Sequence, residues 1–439
     1  MLGDNIQTLT RLHPVGLAVL AVLSLFVLYA DRRWTVVAFI VMATLVPSAQ
    51  RLVIGPMDFT LLRMLVVVGW MRLVLKREYR AISFGAADWA MVTWVAVGLV
   101  VYTIQQNSVS ALINRLGFAM DALGTYFYIR ASVRAISEVR SVVNSIAMIA
   151  VLLGFFFLVE VLTGVNPFGV MGGPVTTRVW DGSLRLQGAF SHPILAGAVA
   201  AALIPYTLHS LIQRNRPRTR GVVATASLIF VVFASNSSTS FMGVMAAFAF
   251  MLMYPFRFRM KKIRWTAVAG LIGLDIVMQA RVWHLVSRID LRGGSTGWHR
   301  YRLIDRTITN FHEWWLTGLT NIDHWNVWAN DVTNQYVLMA LRGGGFTLAA
   351  FIAMIAFVFR DIGAGLRVCE GNQDDTLLLW ALGVGVAVHL VNFIGVSYFG
   401  QADFGWYLSL GLAVSAVSRV TEPQRVRQQL QLREASKLL

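Results

Sequence analysis

The clearest chemical signal in the sequence is a polar, arginine-rich stretch between residues 297 and 318. Its charged and acid–base side chains include His299, Arg300, Arg302, Arg306 and Glu313. If this stretch is one helix, Arg302 and Arg306 stand four residues apart on one face, where two cations repel each other by roughly 0.2–0.5 kcal/mol. A bound phosphate or diphosphate would remove that repulsion, because guanidinium groups match phosphate oxygens in geometry. Neutralisation by Asp305 is the alternative, and we favour the anion site.

The spacing of the side chains in the same stretch predicts an amphipathic helix. Its apolar face would carry Ile304, Ile308, Phe311 and Trp315. Its opposite face would carry Arg302, Arg306, Thr309 and Glu313. If the stretch is helical, its charged side chains therefore share the face opposite the apolar stripe.

A second polar segment, residues 177–193, ends where an apolar run begins at Pro193. It contains Arg178, Arg185 and His192. The exposed N–H groups at a helix start, together with a nearby arginine, can bind an anion. The alternative is a plain turn with a surface arginine and with Pro193 at the first helical position.

A third segment, residues 321–336, leads into an apolar helix that contains three consecutive glycines. It offers His324, Asp331, Thr333 and Asn334 as polar candidates. The aromatic side chains around them are either an interfacial belt at the membrane surface or a surface on which sugar rings stack.

Several kinds of site are absent from the sequence. It contains no phosphate-binding glycine loop, no dinucleotide fingerprint and no metal-ligand spacing, so we predict neither a metal nor a cofactor. The single cysteine, Cys369, excludes a disulfide framework. A net charge of +16 would suggest a nucleic-acid partner for a soluble protein. Here the basic residues lie in short loops between apolar segments, so we expect no nucleic acid.

The elements that must position these residues are membrane helices. The chain has 439 residues, of which 56% are hydrophobic and 14% charged, and its mean hydropathy is +0.62. Apolar runs of about 17 to 22 residues recur, long enough to cross roughly 30 Å of hydrocarbon, and in lipid such runs must be helical. We predict an all-α integral membrane protein, a single polytopic domain over residues 1–439 with about 12 to 14 spans. The expected spans are approximately 14–30, 34–50, 59–75, 86–104, 111–130, 141–162, 193–212, 221–235, 238–255, 265–283, 335–359, 376–395 and 403–418.

The distribution of lysine and arginine predicts the orientation. The strongly basic loops 214–220 and 257–264 fix the cytosolic side. Alternation from them places the tail 420–439 in the cytosol and leaves two large external loops, 164–193 and 284–334. The polar candidates therefore gather outside, at the membrane surface, which fits chemistry on a lipid-borne substrate.

Ionisable residues inside the predicted spans are functional candidates by default. Several such residues stand out, namely Arg63, Arg115, Asp121, Glu160, Asp275 and His389. Arg115 and Asp121 are expected to neutralise each other, whereas the sequence shows no partner for Asp275.

Three stretches resemble the motifs of the O-antigen ligase and O-antigen polymerase superfamily of bacterial membrane glycosyltransferases. They are residues 185–193, the run 298–306 followed by 314–318, and residues 331–336. The resemblance implies a GT-C-like fold in the bacterial inner membrane. It also implies metal-independent transfer of a glycan from an undecaprenyl-diphosphate-linked oligosaccharide, on the periplasmic side, to a glycan or lipid acceptor. Membrane lipids and other polysaccharide-assembly proteins would be its further partners.

The resemblance also implies roles for particular residues. The diphosphate would be held, and stabilised as leaving group, by Arg185, Arg300, Arg302 and Arg306. The acceptor hydroxyl needs a base, for which the candidates are His324, His299, Glu313, Asp331 and, in the first loop, His192. Ligases of this superfamily commonly carry a His-Asn pair where this chain has Thr333 and Asn334, which leaves polymerase-like and exopolysaccharide roles open.

Two other classes of function remain as alternatives. A lipid or polysaccharide transporter would concentrate its charges at the midplane, on broken helices, and Arg63, Asp275 and His389 favour that reading. A non-catalytic scaffold of an envelope-polysaccharide assembly would account for the missing histidine.

Overall fold

The computed structural model describes residues 9–180, 182–213, 218–288, 297–327 and 332–438, and most of these residues are helical. The α-helices are α1 Pro14–Tyr29, α2 Arg32–Leu45, α3 Leu61–Leu75, α4 Ala86–Gln106, α5 Val109–Ala119, α6 Thr125–Ser132, α7 Ile136–Thr163, α8 Pro193–Ile212, α9 Arg218–Ser235, α10 Ser238–Leu252, α11 Met260–Val277, α12 Gly297–Thr309, α13 Phe311–Trp314, α14 Gln335–Val368, α15 Gln373–Asn392 and α16 Gln401–Leu438. A π-helical turn, Met120–Gly124, joins α5 to α6.

Six of the described helices, α4, α7, α8, α9, α14 and α15, are long and apolar enough to cross a membrane. A seventh candidate is the pair formed by α10 and the segment Tyr254–Val277, which is bent by 78°. The apolar helices support the prediction of a multi-pass helical membrane protein. Other predicted spans coincide with shorter helices, such as α2 with 14 residues and α3 with 15, so the number of spans stays a prediction.

Helix α8 forms the centre of the bundle, packed among α7, α9, α10 and α15. Nearly all of its residues from Leu195 to Ser210 are buried. Small side chains make this possible, since a Cβ added at Gly197 would lie 2.2 Å from Ser235 Oγ. Close backbone approach through small residues is the usual packing mode of membrane helices.

Helix α11 is the opposite case, because none of its residues is buried. It packs mainly against the 3₁₀ turns Tyr254–Arg259 and Val282–Arg288 that precede and follow it. Its apolar side chains therefore face the surroundings of the protein along its whole length.

Two small antiparallel hairpins interrupt the helices. Strands β1 Arg51–Ile54 and β2 Met57–Thr60 pair between α2 and α3, in a region where the sequence indicated only the ends of two spans. Strands β3 Arg178–Trp180 and β4 Ser183–Arg185 pair within the first large loop.

The structure corrects the expected pairing of charges near α5. Asp121 binds Arg63, with Oδ2 2.6 Å from Nη2, and Arg63 also binds Asp58 at 2.8 Å. The guanidinium of Arg115 instead lies 3.8 Å from the ring centre of Tyr102. The prediction of an Arg115–Asp121 pair is therefore wrong, because Arg63 on α3 binds the Asp121 carboxylate.

Asp275, which had no partner in the sequence, lies in the last turn of α11. Its carboxylate is 3.2 Å from Arg281 Nη1 and accepts a hydrogen bond from the backbone N–H of Val282 at 2.7 Å. It closes the turn that follows α11 and is not an isolated midplane charge.

Candidate functional site

The break in α14 shapes the end of the bundle at which α8 and α14 begin, the predicted external end. Helical geometry is lost at Gly343 and Gly344. Gly344 has φ 64° and ψ −168°, a conformation that is essentially restricted to glycine. The glycine run noted in the sequence is thus required by the backbone at this point.

The segment 315–319 packs into this break through its backbone. Trp315 O accepts a hydrogen bond from Gly345 N at 2.7 Å, and Leu319 N donates to Leu341 O at 2.8 Å. Gly318 faces Leu341 so closely that an added Cβ would lie 2.1 Å from its carbonyl oxygen. The end of the second resemblance motif, residues 314–318, is therefore in direct contact with the glycine run that follows the third motif.

The start of α14 is fixed to the connection between α15 and α16. The side chain of Asn334 caps the helix by accepting from Val337 N at 3.0 Å, and it donates to Ile394 O at 3.1 Å. Gln335 accepts from Tyr398 N at 2.8 Å. Asn334, a predicted site residue, is 3% exposed, and its contacts give it a structural role.

Two further predicted site residues, Thr333 and Asp331, precede Asn334 in the chain. Thr333 Oγ1 is buried and makes no hydrogen bond to any described residue. The predicted base Asp331 lies outside the described residues.

The first loop is held by the same connection. Residues 186–190 are buried, and Ala189 O accepts from the side chain of Gln401 at 3.1 Å. Leu186 N donates to Ala234 O at 3.0 Å, at the end of α9. The first and third resemblance motifs thus both contact residues 393–401, and the second contacts the break in α14.

One polar candidate of the first loop, His192, has a local role in the structure. His192 caps α8, with Nδ1 accepting from Ile194 N at 3.2 Å. Arg185 is half-buried at the end of β4, and its Cα partner across the hairpin is Arg178, of which only the backbone is described. No contact described joins this pair to the arginines of the second loop.

Helix α12 ends at Thr309, and Asn310 separates it from α13. The arrangement of residues 302–315 on the two faces of a single helix is therefore wrong. Ile308, predicted to belong to an inward apolar stripe, is 46% exposed, whereas His299 and Arg300 are 9% and 7% exposed. The buried face of α12 is the one that carries Gly297, His299, Arg300, Leu303 and Thr307.

Helix α12 consequently divides the three predicted diphosphate ligands that it carries. Arg300 lies on the buried face, while Arg306 is exposed on the far side and Arg302 is partly exposed near it. At 100° per residue, Arg302 and Arg306 differ in direction by about 40°, whereas Arg300 and Arg302 differ by about 160°. The structure keeps Arg302 and Arg306 together and separates Arg300 from them.

The break after α12 creates the most chemically suggestive contact in the described loop. Glu313 Oε2 lies 2.7 Å from His324 Nε2 and accepts from Trp325 Nε1 at 3.1 Å. The His324 contact is the largest influence on the carboxyl and lowers the pKa of Glu313 below its ordinary 4.5. An ionised carboxylate only accepts hydrogen bonds, so we assign the proton of the neutral imidazole to Nε2, which leaves Nδ1 as the basic nitrogen.

Arg302 connects this pair to α12. Its Nη2 donates to Asn326 O at 2.7 Å, two residues beyond His324 in the same turn. The imidazole of His324 remains 56% exposed. The exposed face of the loop therefore combines a histidine–carboxylate pair with the two neighbouring cations Arg302 and Arg306.

A buried polar network that the sequence did not reveal lies below this end. His389 joins Tyr398 OH through Nδ1 at 2.9 Å and Ser409 Oγ through Nε2 at 3.1 Å. Tyr206 donates to the same Ser409 hydroxyl at 3.0 Å. Only the isolated His389 gave any sign of it, because serines and tyrosines in apolar runs are too common to be informative.

In the described part of the chain, no group of three or more His, Cys, Asp or Glu side chains is arranged to hold a metal ion. Comparison of the sequence with protein-family models and with curated proteins gives no match.

Proposed function

We propose that the chain is a membrane glycosyltransferase of the O-antigen polymerase or ligase type, with a GT-C-like arrangement of spans in the bacterial inner membrane. It would transfer a glycan from an undecaprenyl-diphosphate carrier to a glycan or lipid acceptor at the periplasmic face. The observation that carries the proposal is the Glu313–His324 pair at 2.7 Å, on an exposed turn that Arg302 holds.

The pair supplies what the acceptor requires. Glu313 fixes the ring of His324 and stabilises the imidazolium that forms when Nδ1 removes the proton of the acceptor hydroxyl. The acceptor oxygen then forms a bond to the anomeric carbon of the donor glycan. The bond from that carbon to the diphosphate oxygen breaks, and its electron pair leaves with the diphosphate.

The leaving group gains negative charge in this step. Arg302 and Arg306 stand one helical turn apart on one face of α12, and diphosphate oxygens would bridge their guanidinium groups. Charge stabilisation that grows as the bond breaks lowers the barrier. Arg300 and His299 face inward, so we assign the diphosphate to the Arg302–Arg306 face.

The test uses the full chain in lipid nanodiscs with a polyprenyl-diphosphate oligosaccharide as donor, without nucleotide or added metal. Loss of a general base lowers the rate about 10²–10⁴-fold, so His324→Ala should lose that much transfer activity. His312→Ala is the matched control, because this exposed histidine is 4.0 Å from Glu313 and lies outside hydrogen-bonding distance.

Two outcomes would end the proposal. One is equal activity in the His324→Ala and His312→Ala proteins when both remain folded. The other is transfer that requires ATP, an ion gradient or a divalent metal.

A further inference from the structure

An apolar groove on the side of the bundle lies away from the external loops. It has a volume of about 850 Å³ and is formed by α3, the π-helical turn and α6. Val67 and Val74 line it and are 47% and 59% exposed. A second groove of about 440 Å³ shares Trp70, Val74 and Phe127 with the first and extends it to Tyr79 and Ile82.

The π-helical turn helps to form this groove. Gly124, the last residue of the turn, lines the groove, and its carbonyl oxygen accepts a hydrogen bond from Trp70 Nε1 at 2.9 Å. A Cβ on Gly124 would lie 2.9 Å from Val66 Cγ1. π-turns are rare and are frequent at functional sites, and here the turn places a bare backbone in the groove wall and binds the indole of Trp70 there.

The length of the groove matches a single leaflet. Its lining on α3 runs from Val66 to Leu75, ten residues whose nine steps of 1.5 Å rise about 13–14 Å. One leaflet contributes about 15 Å, half of the hydrocarbon thickness. A partner helix would need a groove through both leaflets, whereas a lipid chain needs only one.

The end of the groove at Tyr79 is positively charged. Arg77 and Arg80 flank Tyr79 in the chain, are exposed, and make no ion pair with the described residues. The nearby carboxylate of Glu78 is already bound to Arg72, with Oε2 3.0 Å from Nε. The predicted orientation places this end in the cytosol, where the membrane surface is negatively charged.

We propose that this groove is a binding site for an anionic phospholipid of the cytosolic leaflet. An acyl chain occupies the groove along α3, and the phosphate lies against Arg77 and Arg80. The site is independent of the proposed transferase chemistry, because it lies at the opposite end of the spans from the second external loop.

The test measures binding of phosphatidylglycerol and of phosphatidylcholine to the full-length protein in detergent, by native mass spectrometry across a lipid titration. Each cation near an anionic lipid surface is worth about fivefold in affinity. Arg77→Gln combined with Arg80→Gln should therefore weaken phosphatidylglycerol binding about 30-fold. The matched control is Lys261→Gln combined with Lys262→Gln, an exposed basic pair at the start of α11, which should leave this binding unchanged.

A second variant separates groove binding from surface charge. Val74→Trp fills the groove where its two parts meet and should abolish the bound lipid. Val223→Trp, at a position on α9 that is 50% exposed, should not. The proposal is overturned if phosphatidylcholine binds as tightly as phosphatidylglycerol, if the arginine and lysine pairs behave alike, or if Val74→Trp retains the lipid.

Discussion

Gly344→Ala should be among the most damaging small substitutions in this protein. Alanine at φ 64° and ψ −168° costs about 1–3 kcal/mol in backbone strain. The new Cβ would also lie 2.3 Å from Leu316 O, so segment 315–319 must retreat by about 1 Å to reach ordinary contact at ~3.5 Å. That retreat removes the Gly345 N to Trp315 O hydrogen bond, worth about 1 kcal/mol. The expected loss of stability is about 2–4 kcal/mol in total.

The assay is reversible unfolding of the purified protein in mixed micelles of a mild detergent and sodium dodecyl sulfate. Gly270→Ala provides the comparison, because Gly270 lies in exposed α11 with nothing within 4 Å of the added Cβ. That change should be neutral or stabilise the helix by up to ~1 kcal/mol. Equal effects of the two substitutions would refute the assignment of a required contact between the broken helix and the external segment.

Two further predictions follow from the ion pairs. Asp88 and Arg130 are paired at 2.9 Å with 0% and 1% exposure, so Asp88→Ala should lower the free energy of unfolding by about 3–5 kcal/mol. Asp361→Ala is the comparison, because it removes a carboxylate paired with a largely exposed arginine, and it should cost at most ~1 kcal/mol. Both values are measured by the same unfolding assay. The pKa of Glu313 is lower in the folded chain than its ordinary 4.5, so its contact with His324 stabilises the fold above that pH and loses this effect as the pH falls through the lowered value. Glu313→Gln should therefore lower the melting temperature at pH 7 and have a smaller effect at pH 3, and a difference that grew towards acid would contradict the assigned sign.

The sequence predicted those helices of the bundle whose position is decided by hydrophobicity alone. The run that begins at Pro193 was expected to form a helix over 193–212, and it does. Pro193 at the first helical position and the polar residues before it were sufficient signals. The hairpin of β1 and β2 was not anticipated, since its short strands carry too little pattern to separate them from the ends of neighbouring spans.

The candidate site was predicted only in part. The arginines, His324 and Glu313 were identified by residue type, but their grouping depended on where α12 ends. Extending a helical period through Asn310 placed Glu313 on the same face as Arg302, whereas in the structure the helix ends there and Glu313 contacts His324. The spacing of side chains along one helix does not predict the contacts made beyond the end of that helix. It also does not predict contacts between separate helical segments, so the Arg63–Asp121 pair was missed.

Helix α11 leads directly into the second external loop, and that arrangement affects how the loop is positioned. The 3₁₀ turn that follows α11 is joined to α12 by the hydrogen bond from Trp283 to Asp305 at 3.0 Å. Helix α11 itself has no buried residue. A helix that no neighbour clamps takes its tilt from the thickness of the surrounding bilayer. We therefore expect the chain length of the lipid to affect the position of the turn after α11 and of the Trp283–Asp305 contact with α12, and the lipid chosen for any assay becomes an experimental variable.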